Sequence, residues 1–239
     1  MSNFIADVQS LLKKAGWHTG DVDGIDGKDT QAALTAVVQA ANVSVKEGLV
    51  TLPTQAATVT KPAYDLIWSA KVTPAFCTRV RKMALDLKLG DDGANQLMAC
   101  MAFESGETFS PSIQNRGGAH YYGIIQFGDA AAKDCGTTVQ ALVKMSALEQ
   151  LEYVYAFFKP YTGRLHTLSD IYMRILWPKV IGLAENTELW DEQHNPVTYK
   201  ANGGLDANKD KVITKAEAAS AVQAKYERGL APAFRRTLA

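Results

Sequence analysis

Apolar residues recur at helical spacing in the first part of the chain. Phe4, Val8 and Leu12 form one apolar stripe, and a second stripe begins at Leu34. Side chains three or four positions apart lie on the same face of an α-helix, so each stripe predicts a short amphipathic helix. These stripes, with the turn-rich residues between them, indicate a module of two or three helices. We predict a small three-helix module over residues 1–52.

A stretch without sustained periodicity follows, at residues 53–71. It contains prolines, several threonines and few charges. Such a composition is typical of a semi-rigid linker between domains. Helical periodicity then resumes, and residues 72–239 are predicted to form a larger domain.

Helix-start signals and one strand-like run indicate how this larger domain is built. Thr73 stands before a proline, which is typical of an N-cap, and Ser146 with Glu149 fits a capping box. The apolar run at residues 93–104 predicts a helix that ends at Ser-Gly. The run at 121–127 is strand-like, which predicts a minor β-hairpin. The expected fold class is therefore mainly α, with a minor β-hairpin in the larger domain.

Charge and hydropathy narrow the range of partners. The chain has 239 residues, with 25 basic and 25 acidic residues and a formal net charge of zero. Proteins that bind nucleic acid usually carry a basic excess, so no nucleic-acid partner is expected. The N-terminus has no signal-peptide pattern, and no apolar stretch reaches the ~18 residues of a spanning helix. We expect a monomer made in the cytoplasm without a signal peptide and without stable membrane association.

Glu104 is the strongest candidate for chemistry. It follows Leu97 and Met101 at i−7 and i−3, which places its carboxyl at the end of an apolar helix face. Burial and the negative end of the helix dipole both raise the pKa of such a carboxyl. A raised pKa suits a proton donor for glycosidic cleavage. From position alone, a helix-terminal glutamate that bends into solvent is the more common case.

Two motifs distinguish Glu104 from an ordinary glutamate at a helix end. The pair Glu104-Ser105, followed by GIIQF at residues 123–127, resembles the signature of the lytic transglycosylase and goose-type lysozyme superfamily, especially modular phage endolysins. The resemblance implies a lysozyme-like fold and cleavage of peptidoglycan in the periplasm, with Glu104 as the catalytic acid. It also implies that Gln126 hydrogen-bonds sugar or positions the acid, and that Gly123 lets the backbone approach substrate.

The same resemblance extends to further positions in the cleft. Tyr199 and Asn202 best match a tyrosine and an asparagine that family members have there, although YKAN departs from the AYNAG form of many cellular enzymes. Ser105 beside the acid, with Gln114 and Tyr122, completes the predicted substrate-binding set. These side chains supply hydrogen-bonding groups and an aromatic ring suited to N-acetylated sugars.

The sequence distinguishes no second catalytic carboxylate. A conventional glycosidase needs a second carboxylate ~5 Å from the acid for retention, or ~6.5 to 9.5 Å from it for inversion. The sequence offers four candidates and distinguishes none of them: Glu107, Asp129, Asp134 and Glu185. This favours a lytic transglycosylase that cuts the MurNAc-GlcNAc β-1,4 bond and forms 1,6-anhydro-MurNAc ends. A hydrolytic muramidase and a non-catalytic wall-binding protein are the alternatives. The four histidines are scattered without an H-E-x-x-H motif, which disfavours a zinc amidase.

A glycine-rich motif lies in the N-terminal module. The run DVDGIDGKDT resembles the peptidoglycan-binding module found beside many wall-lytic enzymes, and Asp23, Gly24, Gly27 and Thr30 match its D-G-x-x-G-x-x-T core. The glycines are expected to take positive φ and Thr30 to cap the next helix. The resemblance implies that this module binds the cell wall.

The C-terminal region contains a loop that fits calcium. Residues 206–217 fill the ligand positions of an EF-hand loop with Asp206, Asn208, Asp210, the carbonyl of Val212, and Glu217. Lys211 departs from the pattern, because it stands where glycine normally takes positive φ. Thr214 and Glu217 alternatively form a capping box for the last helix, without metal. A structural calcium ion therefore stays open, and no cofactor is expected for the chemistry itself.

Overall fold

The computed structural model confirms a mainly helical chain. It describes residues 4–14, 20–23, 27–40, 44–46, 49–51, 64–115 and 117–238. These residues contain ten α-helices and two antiparallel sheets of two strands each. None of the described helices combines the length and the apolar character needed to cross a bilayer. The chain divides into two compact units, Met1–Lys61 and Pro62–Ala239.

The first unit combines two helices with a small sheet. Its helices are α1, Phe4–Lys14, and α2, Lys28–Ala40. Strand β1, Ser44–Lys46, pairs antiparallel with β2, Leu49–Thr51. Strands thus occupy the described residues after α2, where a three-helix module would place its third helix.

The second unit contains eight α-helices and one sheet in its described part. The helices are α3 Pro74–Asp86, α4 Gly93–Glu104, α5 Asp129–Asp134, α6 Val139–Leu142, α7 Ala147–Phe158, α8 Leu168–Leu176, α9 Pro196–Asn202 and α10 Lys215–Gly229. Strand β3, Glu188–Asp191, pairs antiparallel with β4, Val212–Thr214.

Capping side chains start several of these helices, as the sequence predicts. The Thr73 hydroxyl accepts a hydrogen bond from the backbone N–H of Phe76 at the start of α3. Ser146 and Glu149 form the expected capping box of α7. Each such interaction satisfies a backbone N–H that the helix itself cannot pair.

Helix α4 is the centre of the second unit. It packs against α3, α8 and α10, and every residue from Leu97 to Ala102 is buried. A helix that is apolar on all sides is surrounded by other elements. Helix α4 is therefore more deeply buried than an amphipathic helix with one apolar stripe. The end of α4, at Glu104, is therefore held by packing on several sides.

The predicted linker extends too far along the chain. Residues 64–71 belong to the second unit, where Leu66, Ile67 and Trp68 are buried. Asp65 forms ion pairs with Arg81 at 2.6 Å and Arg236 at 3.0 Å. The apolar side chains of this segment fill part of the core. Their burial could not be predicted from periodicity, because the segment has none. The earlier part of the predicted linker, residues 53–63, lies outside the described residues.

The strand-like run at 121–127 forms a tight turn and no strand; the small antiparallel sheet of this unit is β3–β4. Tyr122 and Phe127 exchange backbone hydrogen bonds of 3.0 and 2.7 Å across the turn. Gly123 and Gln126 have positive φ values of 85° and 53°, which no regular strand contains. Tyr122 also bridges Gln114, so this region has isolated bridges in place of strands.

Candidate functional site

The C-terminal end of α4 is fixed by the side chain of Ser105. Its hydroxyl donates to the carbonyl of Met101 at 2.6 Å and accepts from the backbone N–H of Phe109 at 3.0 Å. Ser105 is fully buried. Both hydrogen bonds are internal, so the side chain of Ser105 supports the helix end. It is not available to bind substrate, contrary to what we expected from the sequence.

Glu104 lies at this helix end in apolar surroundings. Burial raises the pKa of its carboxyl to about 8, and no described residue donates a hydrogen bond that would favour the ionised form. Cys100 and Tyr172 lie close enough to interact electrostatically with this carboxyl. Tyr172 is buried on α8, and its ring packs edge-on against Phe103 at 5.5 Å. Glu104 is thus mostly protonated at neutral pH.

An open pocket of about 500 Å³ gives Glu104 access to a ligand. Its wall is formed by Phe103, Glu104, Ser105, Gly106, Glu107, Ile113, Gln114, Asn115, Gln126 and Lys225. Four of the predicted site residues, Glu104, Ser105, Gln114 and Gln126, therefore surround one pocket. Lys225, on α10, was not predicted from the sequence.

Gln126 is held rigidly at the wall of this pocket. Its side-chain N–H₂ donates to the carbonyls of Gly123 at 3.1 Å and Ile113 at 3.2 Å. These two bonds fix the orientation of the amide, because only the nitrogen can donate. The amide oxygen accepts no hydrogen bond from any described residue, so it can accept one from a hydroxyl or N–H of a ligand.

Gly123 has a different role from the one implied by the resemblance. A Cβ at this position would lie 2.6 Å from Oε1 of Gln150 and 3.1 Å from the carbonyl of Pro111. The missing side chain therefore makes room for Gln150, and Gly123 is not among the pocket-lining residues.

Gln150 is the residue that holds the GIIQF turn, and sequence reasoning missed it. It is fully buried on α7. Its side-chain N–H₂ donates to Pro111 O at 2.7 Å and Leu142 O at 2.8 Å, and its Oε1 accepts from the N–H of Ile124 at 3.2 Å. A signal was available, because Gln150 precedes Val154 by four positions and so shares the apolar face of its helix.

Tyr122 does not face the pocket. Its ring packs edge-on against His120, with ring centroids 5.2 Å apart, and its backbone bridges both Gln114 and Phe127. Tyr122 therefore stabilises the loop and is not the aromatic platform that we expected. Gln114 is exposed and does line the pocket.

The four carboxylates considered as a second catalytic group are engaged or lie elsewhere. Glu107 lines the pocket, but Lys225 binds it at 2.6 Å and Arg228 at 3.2 Å. Asp129 pairs with His120, and Glu185 accepts a hydrogen bond from Ser169. Asp134, like those two, is not among the pocket-lining residues. Within the described residues, Glu104 is the one pocket carboxyl without a cationic partner.

Tyr199 and Asn202 are not brought to this pocket. The Tyr199 hydroxyl donates to Oδ2 of Asp206 at 2.7 Å, and the Asn202 amide donates to the carbonyl of Thr198 at 2.9 Å. Both residues belong to α9, which packs against β3. The partners of Tyr199 and Asn202 thus lie within the C-terminal region, and the structure gives no support to their predicted place beside Glu104.

Two backbone features of the 206–217 loop match an EF-hand loop. Lys211 takes a positive φ of 72°, the conformation usually given by glycine, and its N–H donates to Asp206 at 3.0 Å. The capping box is also present, since Thr214 donates to Oε2 of Glu217. The other carboxylate oxygen of Glu217 is buried and has no partner among the described residues. The two interpretations are therefore compatible, because the cap uses only one of the two oxygens.

A second group of ligand-type side chains lies on and after β3. Glu188, Asp191 and His194 offer ligand atoms within 4.8 Å of one another. Asp191 accepts hydrogen bonds from the backbone N–H groups of His194 and Gln193, and these bonds lower the pKa of its carboxyl to about 2. The oxygens of Asp191 thus have hydrogen-bond partners within its own turn.

The motif residues of the first unit form a hydrogen-bonded cluster. The side chain of Gln9, on α1, donates to Asp23 at 2.8 Å and to the hydroxyl of Thr30 at 2.9 Å. Thr30 is buried within the first turn of α2, so it is not the N-cap that we predicted. Gly27 does not have the expected positive φ, and Gly24 lies outside the described residues. The motif therefore joins α1 to α2, through a glutamine that the sequence analysis did not identify.

Comparison with known proteins adds no relative. The chain matches no family model and no curated protein. The evidence for its function therefore comes from its own residues and from the geometry of the Glu104 pocket.

Proposed function

We propose that the second unit cleaves the MurNAc-GlcNAc β-1,4 bond of peptidoglycan with Glu104 as general acid and base. The observation that carries this proposal is the carboxyl at the end of buried helix α4, which opens into a pocket of about 500 Å³ and has a pKa of about 8. Such a group keeps its proton at neutral pH and can donate it to a glycosidic oxygen. Gln126 offers a fixed acceptor on the same wall.

The lack of a second unpaired pocket carboxylate among the described residues supports ring closure as the proposed reaction. Glu104 protonates the leaving oxygen of GlcNAc as its bond to C1 of MurNAc breaks. The Glu104 carboxylate then removes the proton of the MurNAc 6-hydroxyl, whose oxygen bonds to C1 and closes the 1,6-anhydro ring. This sequence returns Glu104 to its protonated form and needs no second carboxylate. Glu107 is neutralised by Lys225 and Arg228, which suits it to shaping the pocket.

Product analysis tests this proposal. Purified sacculi digested with the chain should release soluble muropeptides whose muramyl ends are 1,6-anhydro, one water lighter than reducing ends by mass spectrometry. Products with only reducing ends would replace the transglycosylase with a hydrolytic muramidase. Intact sacculi would leave a non-catalytic wall-binding protein.

The two-unit organisation supports a further part of the proposal. We infer that the first unit is a wall-binding module and the second a lysozyme-like domain, as in a modular phage endolysin acting as a monomer on the wall in the periplasm. The support is the D-G-x-x-G-x-x-T motif, whose Asp23 and Thr30 share the side chain of Gln9. Full-length chain that stays in the supernatant when sacculi are sedimented would contradict this module's role.

We also propose that the 206–217 loop binds a structural calcium ion. Asp206, Asn208, Asp210, the carbonyl of Val212 and Glu217 would hold it. The buried, unpartnered oxygen of Glu217 supports this assignment, because a carboxylate oxygen without a partner is costly unless a cation binds it. The side chain of Lys211 pairs with Glu192 at 2.6 Å, which offsets its charge near the loop.

Calcium is therefore expected to raise the melting temperature of the chain by several degrees over that in EDTA. At a concentration about 100 times Kd, a ligand of the folded state adds about 2.7 kcal/mol of stability. Differential scanning calorimetry measures the shift, with magnesium as the ionic control. Glu217→Gln keeps a hydrogen-bond acceptor for the cap but lacks the charge, so it should lose the calcium response. Equal melting temperatures of the wild type in calcium and EDTA would overturn the assignment.

A further inference from the structure

A second pocket, lined by Ile125, Gln126 and Phe127 of the GIIQF turn, adjoins the Glu104 pocket. It has a volume of about 360 Å³, and Gln126 lines both pockets. Its apolar wall includes Phe127, Phe157 and Ile175. A polymeric substrate that occupies the first pocket therefore has a neighbouring depression into which it can continue past Gln126.

Tyr121 gives this second pocket an exposed aromatic wall. Half of its surface, 50%, is exposed, although the residue stands in a loop of small and polar residues. A Cβ at Gly128 would lie 2.7 Å from Cε1 of Tyr121, so the ring rests directly on the backbone at Gly128. An aromatic ring with one end apolar and the other able to hydrogen-bond suits a ligand that presents both C–H groups and hydroxyls.

Polar groups stand at the edge of the same pocket. His120 and Asp129 form an exposed pair, with Nδ1 of His120 2.9 Å from Oδ2 of Asp129. Binding sites for small polar ligands typically combine an apolar wall with a few polar groups that orient the ligand. A sugar ring has both kinds of surface. Isolated exposed aromatic residues are common, but Tyr121 lines a pocket that shares the wall residue Gln126 with the Glu104 pocket.

We propose that this second pocket is a sugar subsite for the same glycan strand that Glu104 cleaves, with Tyr121 as its stacking platform. This proposal rests on the proposed function, because it takes the occupant of the Glu104 pocket to be a glycan. Gln126 is a wall residue of both pockets, so the two adjoin at this position. The occupant is the carbohydrate backbone of the strand, and the stem peptide is the alternative that the experiment separates.

The test measures cleavage as a function of strand length. The substrates are glycan strands of defined length whose stem peptides an amidase has removed. Tyr121→Ala should raise KM for long strands about tenfold, the effect of one lost aromatic contact, and leave kcat within about twofold. Strands too short to reach past Gln126 should be cleaved as by the wild type. Tyr121→Phe should retain wild-type KM, because it keeps the ring.

Leu85→Ala is the matched control, since Leu85 is also exposed and lines a different pocket, beside Leu66. It should leave KM unchanged at every length. Wild-type KM values for Tyr121→Ala at all lengths would overturn the subsite while the proposed function stands. A loss confined to strands that keep their stem peptides would overturn it in favour of peptide binding. No cleavage by the wild type would overturn the proposed function and the subsite together.

Discussion

Replacing Glu104 by glutamine is expected to lower the rate of peptidoglycan cleavage about a thousandfold, within the range attributed to a single general acid and base. Glutamine has nearly the same shape but cannot donate a proton to the glycosidic oxygen. The wild-type carboxyl keeps that proton because burial raises its pKa to about 8. Release of soluble muropeptides from purified sacculi measures the loss. Equal release by both proteins would show that Glu104 is not the acid.

Glu107→Gln provides the control within the same pocket. Glu107 lies three positions further on and is bound by Lys225 and Arg228. If it only shapes the pocket, this variant should keep its activity within about tenfold of the wild type, well short of the loss expected for the acid. A loss as large as that of Glu104→Gln would make Glu107 a second catalytic carboxylate and would argue for hydrolysis.

The same Glu104→Gln variant has a second expected effect, on stability against pH. The folded pKa of Glu104, about 8, lies above the ordinary glutamate value of 4.5. Its contribution to stability is therefore complete below pH 4.5 and is lost as the pH rises through about 8. From pH 5 to pH 8 the wild type should lose about 3 to 4 kcal/mol relative to the glutamine variant. Urea unfolding of both proteins at the two pH values measures this, and parallel pH dependences would contradict a buried acid.

Local signals were sufficient to predict the end of α4 and its acid. The helix covers Gly93–Glu104, as its apolar run and the following Ser-Gly predict. The caps at Thr73 and Ser146 were likewise readable, because each depends on residues within one turn. Glu104 was therefore predictable as a carboxyl at the end of an apolar helix.

The rest of the site depends on packing between distant segments, which local patterns do not contain. Lys225 reaches the pocket from α10, and Tyr172 approaches Glu104 from α8. Glu107 was visible as a nearby carboxylate, but its neutralisation requires Lys225, 118 positions away. Tyr199 shows the opposite error. A motif placed it in the cleft, whereas its hydroxyl binds Asp206 within the C-terminal region.

Replacing Gln150 by leucine is expected to destabilise the chain by about 3 kcal/mol, because it leaves the buried N–H of Ile124 and the part-buried carbonyl of Pro111 without their partners. Leucine has a similar volume but cannot accept from Ile124 N–H or donate to the carbonyls of Pro111 and Leu142. Urea unfolding measures the loss. Cleavage assayed well below the unfolding transition should also fall, since Gln126 depends on the turn that Gln150 holds.

Gln96→Leu is the matched control for this effect. Gln96 is a partly buried glutamine on α4, and its Oε1 is buried without a hydrogen-bond partner among the described residues. Removing an unsatisfied polar atom relieves a desolvation cost, so this variant should be as stable as the wild type or more stable by about 1 kcal/mol. Glutamine-to-leucine substitution would then lower the stability at the fully buried Gln150 and leave it unchanged or raise it at the partly buried Gln96. Equal destabilisation at both positions would show that leucine is simply misfitted, and that the hydrogen bonds of Gln150 do not hold the GIIQF turn.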